Sequence, residues 1–541
     1  MRLRKLWLGN YNNLKDVEIA FDPAPSMYRS MSLRFFVGLN GSGKSNAMEA
    51  IGLIFSHLAA DVSPGIDFDI EYELRDQVVR ITTRLDKVAT ATISPIGAAL
   101  LVRPLAEVKW KPEHLRTGWA TSGDGIIPGR VVGYSTGPTS SLQRALSGSI
   151  EKIVKGALGD FEEEQQPQGV MESEWVANRE ALRDDLNRRY EAYLDNPSTL
   201  FLGSDEALCA VLPLLAHEAG DGQKLGAHLA RRVKLLGRIN LDTAEPLLAF
   251  SLRIAGDWRR RLTPLREGRL SSLLGLAQVR TPVDPDPNDA GAAASQTSRD
   301  FFAVFDLDQD FRRRKLKNPD LAPTPLLFFE ELLAWKRQGA LQEIRLVVKK
   351  KDVDDLLLVS SLSDGEFLYL GRYALLLMLR DIPDCLVLLD EPETHFNDQW
   401  KTELVKDISG LLELSPEVPS ASVNNEVIIA THSDLTLTDA DPRQVYVFEY
   451  KEVPGTNGSP VRKVMVSPPA FSTFGANRGD VPRGLFQSPA STGAYSKDVI
   501  EAALVSGDKK EIETLLETVG PGFNRFRLNE KLLQLREKAG K

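Results

Sequence analysis

Gly38-Leu39-Asn40-Gly41-Ser42-Gly43-Lys44-Ser45 is the stretch on which the fold of this chain turns. Its glycines bare backbone N–H groups that can cradle phosphate oxygens, its lysine can reach the outer phosphates, and its serine hydroxyl can hold a divalent cation. The context is the one this loop requires. Ser32 to Val37 reads as an apolar strand running into the glycines, and Lys44 to about Leu58 reads as an amphipathic helix leaving them. A Gly/Ser surface turn would need neither neighbour. Asn46, directly after the serine, is grouped with Gly38, Asn40, Gly41, Ser42, Gly43, Lys44 and Ser45 as the nucleotide-binding set.

Three further stretches follow in the chain. Leu362-Ser363-Asp364-Gly365-Glu366 precedes a long apolar helix, Phe367 to Arg380. A serine hydroxyl, free N–H groups and the positive end of a helix dipole coincide there, which makes either an anion site or an ordinary N-cap with an acidic first turn. Cys385 to Leu389 is an apolar run suited to a parallel sheet buried on both faces, and it ends in Asp390-Glu391-Pro392. With a phosphate loop in the same chain, Asp390 joins Ser45 as a Mg2+ ligand, directly or through water, and Glu391 polarises the attacking water. Val427-Ile428-Ile429-Ala430-Thr431-His432-Ser433 is another buried strand, ending in a histidine.

In this order the four stretches resemble the motif set of ABC-type ATPase heads. The resemblance implies an α/β P-loop head with ATP and Mg2+ as cofactors, catalytic roles for Glu391 and His432, and a homodimer or higher even oligomer. In such a head-to-head dimer Leu362 to Glu366 would act in trans, on the nucleotide held by the opposite subunit. Glu393-Thr394-His395-Phe396 resembles the D-loop that crosses the interface, and Gln143 is the candidate Q-loop glutamine. The long stretch between Ser45 and Leu362 favours the SMC, RecF and OLD-like branch, while no heptad seam supports an extended coiled coil. Tyr134-Ser135-Thr136-Gly137, Thr473 to Gly479, Gly493 to Ser496 and Val519 to Leu528 resemble the PtuA-type ATPases of Septu and retron-associated antiphage systems. That resemblance implies an HNH nuclease of the PtuB type as partner and, in retron versions, a reverse transcriptase with its RNA-linked single-stranded DNA. A RecF- or SMC-like DNA-repair ATPase is the alternative, and the energising subunit of a transporter is a third reading.

The expected organisation is residues 1–140 and 301–450 as the two parts of the head, 141–300 as a helical insert closed by a flexible linker, and 451–541 as a C-terminal extension and possible docking region. The pattern of Glu174 to Leu194 is helical, and Thr281 to Ser298 is the linker. The six histidines are scattered, so sequence neighbours assemble no HNH or zinc cluster, and Asp439-Ala440-Asp441 reads as a polar turn. Apolar runs are too short for a membrane span, and polar residues interrupt the start, so a cytoplasmic protein with no membrane partner is expected. The net charge of −9 excludes nucleic-acid binding through overall charge, but Ala230 to Arg280 holds eleven basic residues against four acidic ones. This run, with Arg259, Arg260 and Arg261 as candidate nucleic-acid contacts, is either a phosphate-tracking surface or a solvated helical face.

Overall fold

Near-continuous apolar runs that can be buried on both faces set the centre of the molecule. The computed structural model describes residues 1–22, 31–59, 64–75, 77–84, 87–95, 101–104, 127–135, 141–148, 199–216, 235–242, 246–283, 299–307, 325–351, 356–379, 382, 384–412, 425–454, 460–485 and 493–539. Among them the strands are β1 (Arg2–Tyr11), β2 (Leu14–Ala20), β3 (Met31–Val37), β4 (Phe68–Leu74), β5 (Gln77–Arg84), β6 (Lys87–Pro95), β7 (Leu101–Pro104), β8 (Arg130–Ser135), β9 (Thr199–Leu202), β10 (Leu247–Ile254), β11 (Val279–Pro282), β12 (Phe301–Asp306), β13 (Leu341–Lys349), β14 (Leu356–Leu358), β15 (Cys385–Asp390), β16 (Asn425–Thr431), β17 (Val445–Pro454) and β18 (Pro460–Ser467). The helices of ten residues or more are α1 (Lys44–Ala59), α2 (Ser204–Ala216), α3 (Pro264–Leu274), α4 (Pro325–Arg337), α5 (Asp364–Leu379), α6 (Asp398–Leu412), α7 (Ala494–Ser506), α8 (Lys509–Thr518) and α9 (Phe523–Ala539).

The central sheet has seven strands in the order β18-β17-β3-β16-β15-β8-β9, parallel except for the β17/β18 hairpin. Register places Thr431 beside Val37, Ala430 beside Asp390, and Asp390 beside Ser135. The phosphate loop, the histidine and the two carboxylates therefore leave the carboxyl ends of neighbouring strands, where ligands of open α/β sheets bind. An antiparallel sheet in the order β2-β1-β4-β5-β6-β7 supplies the second layer. One buried cluster joins Leu6 and Leu8 of β1, Phe68 and Tyr72 of β4, Ile51 and Phe55 of α1, and Leu386, Leu388 and Ile428 of the parallel strands. A buried ion pair, Arg34 of β3 to Glu426 of β16 at 2.7 Å, ties in β1, since Leu3 N donates to Glu426 and Arg34 donates to the Leu3 carbonyl. The α/β P-loop fold is thus present as expected.

A third, antiparallel sheet runs β11-β12-β10-β13-β14. Within 141–300 the described residues contribute β9, β10 and β11 alongside α2 and α3, so strands as well as helices occur there. β10 pairs with β12 and β13, both of which come after residue 300. The Glu174–Leu194 helix, the 284–298 part of the linker, Thr136-Gly137, and Arg231, Arg232 and Lys234 lie outside the described residues.

The chain stays in the central sheet past residue 450, because β17 runs on to Pro454 and β18 pairs back along it. One compact unit spans Met1–Ala476 and a second spans Asn477–Lys541. The second unit has its own small core of Ile500, Ala503, Ile512, Leu528 and Leu532. Gly507, at φ +64, ends α7, and the Asp508 carboxylate caps α8 by accepting from Lys510 N and Glu511 N. No helix among the described residues is long and apolar enough to cross a membrane.

Candidate functional site

The phosphate loop links β3 to α1 through glycines whose backbone strains or crowds any larger residue. A Cβ on Gly38 would lie 2.4 Å from the Phe448 carbonyl oxygen, and Gly41 and Gly43 adopt φ of +77° and +106°. Lys44 is buried, and its Nζ donates to the carbonyls of Gly38 at 2.8 Å and Leu39 at 3.2 Å. Burial holds its ammonium below the ordinary lysine range, against the opposing pull of Glu391, Asp390 and Glu393. Ser42 Oγ is buried without a hydrogen-bond partner among the described residues. A desolvated cation and an orphaned hydroxyl beneath a glycine cradle fit a phosphate chain.

Ser45 Oγ donates to Asp390 Oδ1 at 3.0 Å, bringing together the two expected Mg2+ ligands. Burial pushes the Asp390 carboxyl up to about 6, the neighbouring Glu391 adds to this, and the Ser45 hydrogen bond and Lys44 oppose it. Such a carboxylate gains from a bound cation, so this donor set fits the metal. Glu391, at φ +47, leaves β15 in a left-handed turn and its N–H donates to the Ala430 carbonyl at 2.9 Å. Its Oε1 lies 2.9 Å from His432 Nδ1.

The brace around the loop is what sequence reading missed. Asn13, in the β1–β2 turn, donates to the Gly41 carbonyl at 2.9 Å and to the Tyr450 hydroxyl at 2.8 Å, and Tyr450 donates to the same carbonyl at 3.0 Å. Asn46 donates to Asn13 at 2.6 Å, so its side chain serves this brace. The polar Asn12-Asn13 pair is the only sequence signal; Tyr450 offered none. Asn40 is exposed on the loop and Gln143 is exposed on a short helical turn after β8.

At the start of α5 the side chains form a capping box. Ser363 N and Oγ both donate to Glu366 Oε2 at 3.0 Å, and Lys350 Nζ donates to Glu366 Oε1 at 2.9 Å. Burial works against the Glu366 carboxylate, but the bonds from Lys350 and Ser363 prevail and hold it below the usual range. Leu362 is buried and Asp364 exposed. A Cβ on Gly365 would lie 2.8 Å from the His395 carbonyl oxygen, so the start of α5 abuts the turn after β15. His395 itself has φ +66, and Phe396 packs on Tyr369 and Trp400.

Most of the described arginines of the basic run are paired within the fold. Arg238 pairs with Glu403 and Asp407, Arg253 with Asp300, Arg259 with Glu267, Arg261 with Asp257, and both Arg266 and Arg269 with Glu331. Arg259, Arg260 and Arg261 remain exposed on the short helix Trp258–Arg261. Asp441 accepts from Arg443 N and pairs with its guanidinium at 2.8 Å, a turn structure rather than a metal site.

Residues 1–152 match the family model of the AAA ATPase domain, a span that holds the phosphate loop but not Ser363, Asp390, Glu391 or His432. No curated protein matches the chain. Solved structures that are similar to it include an SMC head bound to the C-winged helix domain of ScpA, at 13% identity and a TM-score of 0.32, covering 86% of this chain and 98% of that one. The SMC head domain from Thermotoga maritima is similar at 14% identity and a TM-score of 0.31, covering 86% and 99%. The recombination mediator protein RecF is similar at 14% identity and a TM-score of 0.25, covering 85% and 97%.

Proposed function

We propose that this chain binds Mg2+ and ATP at the carboxyl ends of β3, β15 and β16 and hydrolyses the terminal phosphate bond. The observation that carries the reading is geometric: buried Lys44, bonded to the Gly38 and Leu39 carbonyls, and Asp390, bonded to Ser45, converge on one glycine loop. Bound Mg2+ would supply charge neutralisation at the phosphates, held by Ser45 and Asp390. Glu391 orients water and accepts its proton, with His432 Nδ1 fixing the carboxylate. A second copy of the chain would present Ser363 to Glu366 to the nucleotide, for which Glu366 must release the Ser363 amide and hydroxyl.

Glu391→Gln keeps the shape but not the base, so it should retain ATP while turnover falls about a hundredfold or more, whereas Lys44→Ala should lose nucleotide affinity. Nucleotide binding and phosphate release measured on both variants decide this. Wild-type turnover in Glu391→Gln would overturn the assignment.

At the finer level, the resemblance of the tail supports a PtuA-type role: an antiphage defence ATPase whose nucleotide state holds or releases an HNH nuclease of the PtuB type. A physical link runs in its favour. Thr473 Oγ1 donates to the Ala440 carbonyl at 2.9 Å and Gly475 N donates to the Thr438 carbonyl at 2.8 Å, pinning the tail's first motif to the segment that follows His432. Copurification with the neighbouring genes' products tests it; a DNA-repair complex without a nuclease would favour the RecF-like alternative.

A further inference from the structure

Among the buried ionisable side chains that hydrolysis as proposed above leaves unused, one lies beside the candidate site. Glu393, three residues beyond Asp390, is only 3% exposed. Its Oε1 accepts a hydrogen bond from Thr431 Oγ1 at the end of β16, and Thr431 is itself fully buried. The same hydroxyl oxygen accepts from Ser433 N at 2.9 Å. The two bonds thus hold the backbone before and after His432. Ser433 Oγ continues the chain of bonds by accepting from Thr436 N, which starts the short helix Asp434–Leu437.

Packing alone would be served by an apolar side chain here, because a carboxyl in this position is costly. Glu393 Oε2 has no hydrogen-bond partner among the described residues, and burial pushes the carboxyl up despite the Thr431 bond and the charges of His432 and Arg372. Arg372 of α5 is fully buried, with its guanidinium 4.8 Å from the Tyr134 ring centroid and 4.7 Å from that of Phe396. The cation whose charge acts on Glu393 is therefore itself held against two rings.

We propose that Glu393 is a positioning residue: through the Thr431 hydroxyl it fixes the backbone on both sides of His432, and so keeps the imidazole against the Glu391 carboxylate. The inference rests on Glu391 and His432 acting on the nucleotide as proposed above. Loss of the Thr431 hydroxyl would strip Glu393 of its bond and Ser433 of its acceptor while leaving the phosphate loop untouched. The imidazole would then sample positions away from Glu391, lowering the rate more than the affinity.

The test compares Thr431→Val, Thr431→Ser, Glu393→Ala and the double variant Glu393→Ala/Thr431→Val in the full chain. Steady-state ATP turnover is measured beside titration with a fluorescent ATP analogue in Mg2+. Thr431→Val should lose about tenfold to a hundredfold in kcat with analogue affinity within about threefold of wild type, and Thr431→Ser should recover most of the rate. The double variant should be no slower than the worse single one, since both remove the same device. Wild-type kcat in Thr431→Val, a fall in affinity as large as the fall in rate, or multiplied losses in the double variant would overturn the proposal. Glu391→Gln measured alongside separates the two readings: if it is inactive while Thr431→Val is normal, only the positioning role fails. Should Glu393→Ala not fold, the near-isosteric Thr431 pair decides alone.

Discussion

Asp390 sits where burial outweighs its hydrogen bond from Ser45, so its carboxyl stands near 6 in the folded protein against an ordinary 3.8. Between those values the folded chain holds a proton that the unfolded chain has lost, so unfolding becomes easier as pH rises through the window. The penalty is complete above about pH 6 and amounts to roughly 2–3 kcal/mol. In the absence of metal and nucleotide, Asp390→Asn should raise the melting temperature at about pH 7.5 by several degrees and by less near pH 4.5. Mg2+ with ATP should reverse the order, stabilising wild type more than the variant. Thermal melts at the two pH values check this, and a gain independent of pH would show that Asp390 is not the strained group. Residues of this kind were legible from the sequence because their motif order is fixed. Asn13 and Tyr450 were not, because they reach Gly41 from distant turns and strands and follow no spacing rule.

At the level of elements, the start of α5 takes the capping form of the two sequence alternatives. Within one chain it is a capping box, with Ser363 and Glu366 closing on each other; an anion site there must be opened from outside. If a second copy does the opening, each nucleotide site is completed by two subunits. Mixing Lys44→Ala chains with Ser363→Arg chains should then rebuild one of two sites and restore a measurable part of wild-type turnover. Mixtures shown to contain heterodimers that stay as inactive as either parent would rule the shared site out. The strands flanking this element divide by legibility. β3, β15 and β16 could be read because parallel central strands are apolar throughout. β10 and β13 alternate, but alternation does not name a partner, and their sheet was hidden between helical patterns.

Across the whole molecule, charge shows how far a linear count can mislead. The excess around residues 230–280 looked free because its neutralising acids, Asp300, Glu331, Glu403 and Asp407, arrive from later in the chain. Whatever nucleic-acid contact survives must use exposed groups such as Arg259, Arg260 and Arg261. Replacing all three with glutamine should weaken binding uniformly across sequences and flatten the salt dependence by about two to three units of slope at most. Titrations of single-stranded and duplex DNA at several salt concentrations read this out. An unchanged slope would make the face merely solvated.

β3, which launches the phosphate loop from residue 37, takes both of its sheet neighbours, β16 and β17, from residues 425–454. A chain emerging from the ribosome therefore carries its nucleotide cradle unsupported through nearly four hundred further residues of synthesis. Until β16 and β17 emerge, the apolar β3 strand lacks both of its sheet neighbours, so a translation product that ends before residue 425 should leave the phosphate loop without its strand support.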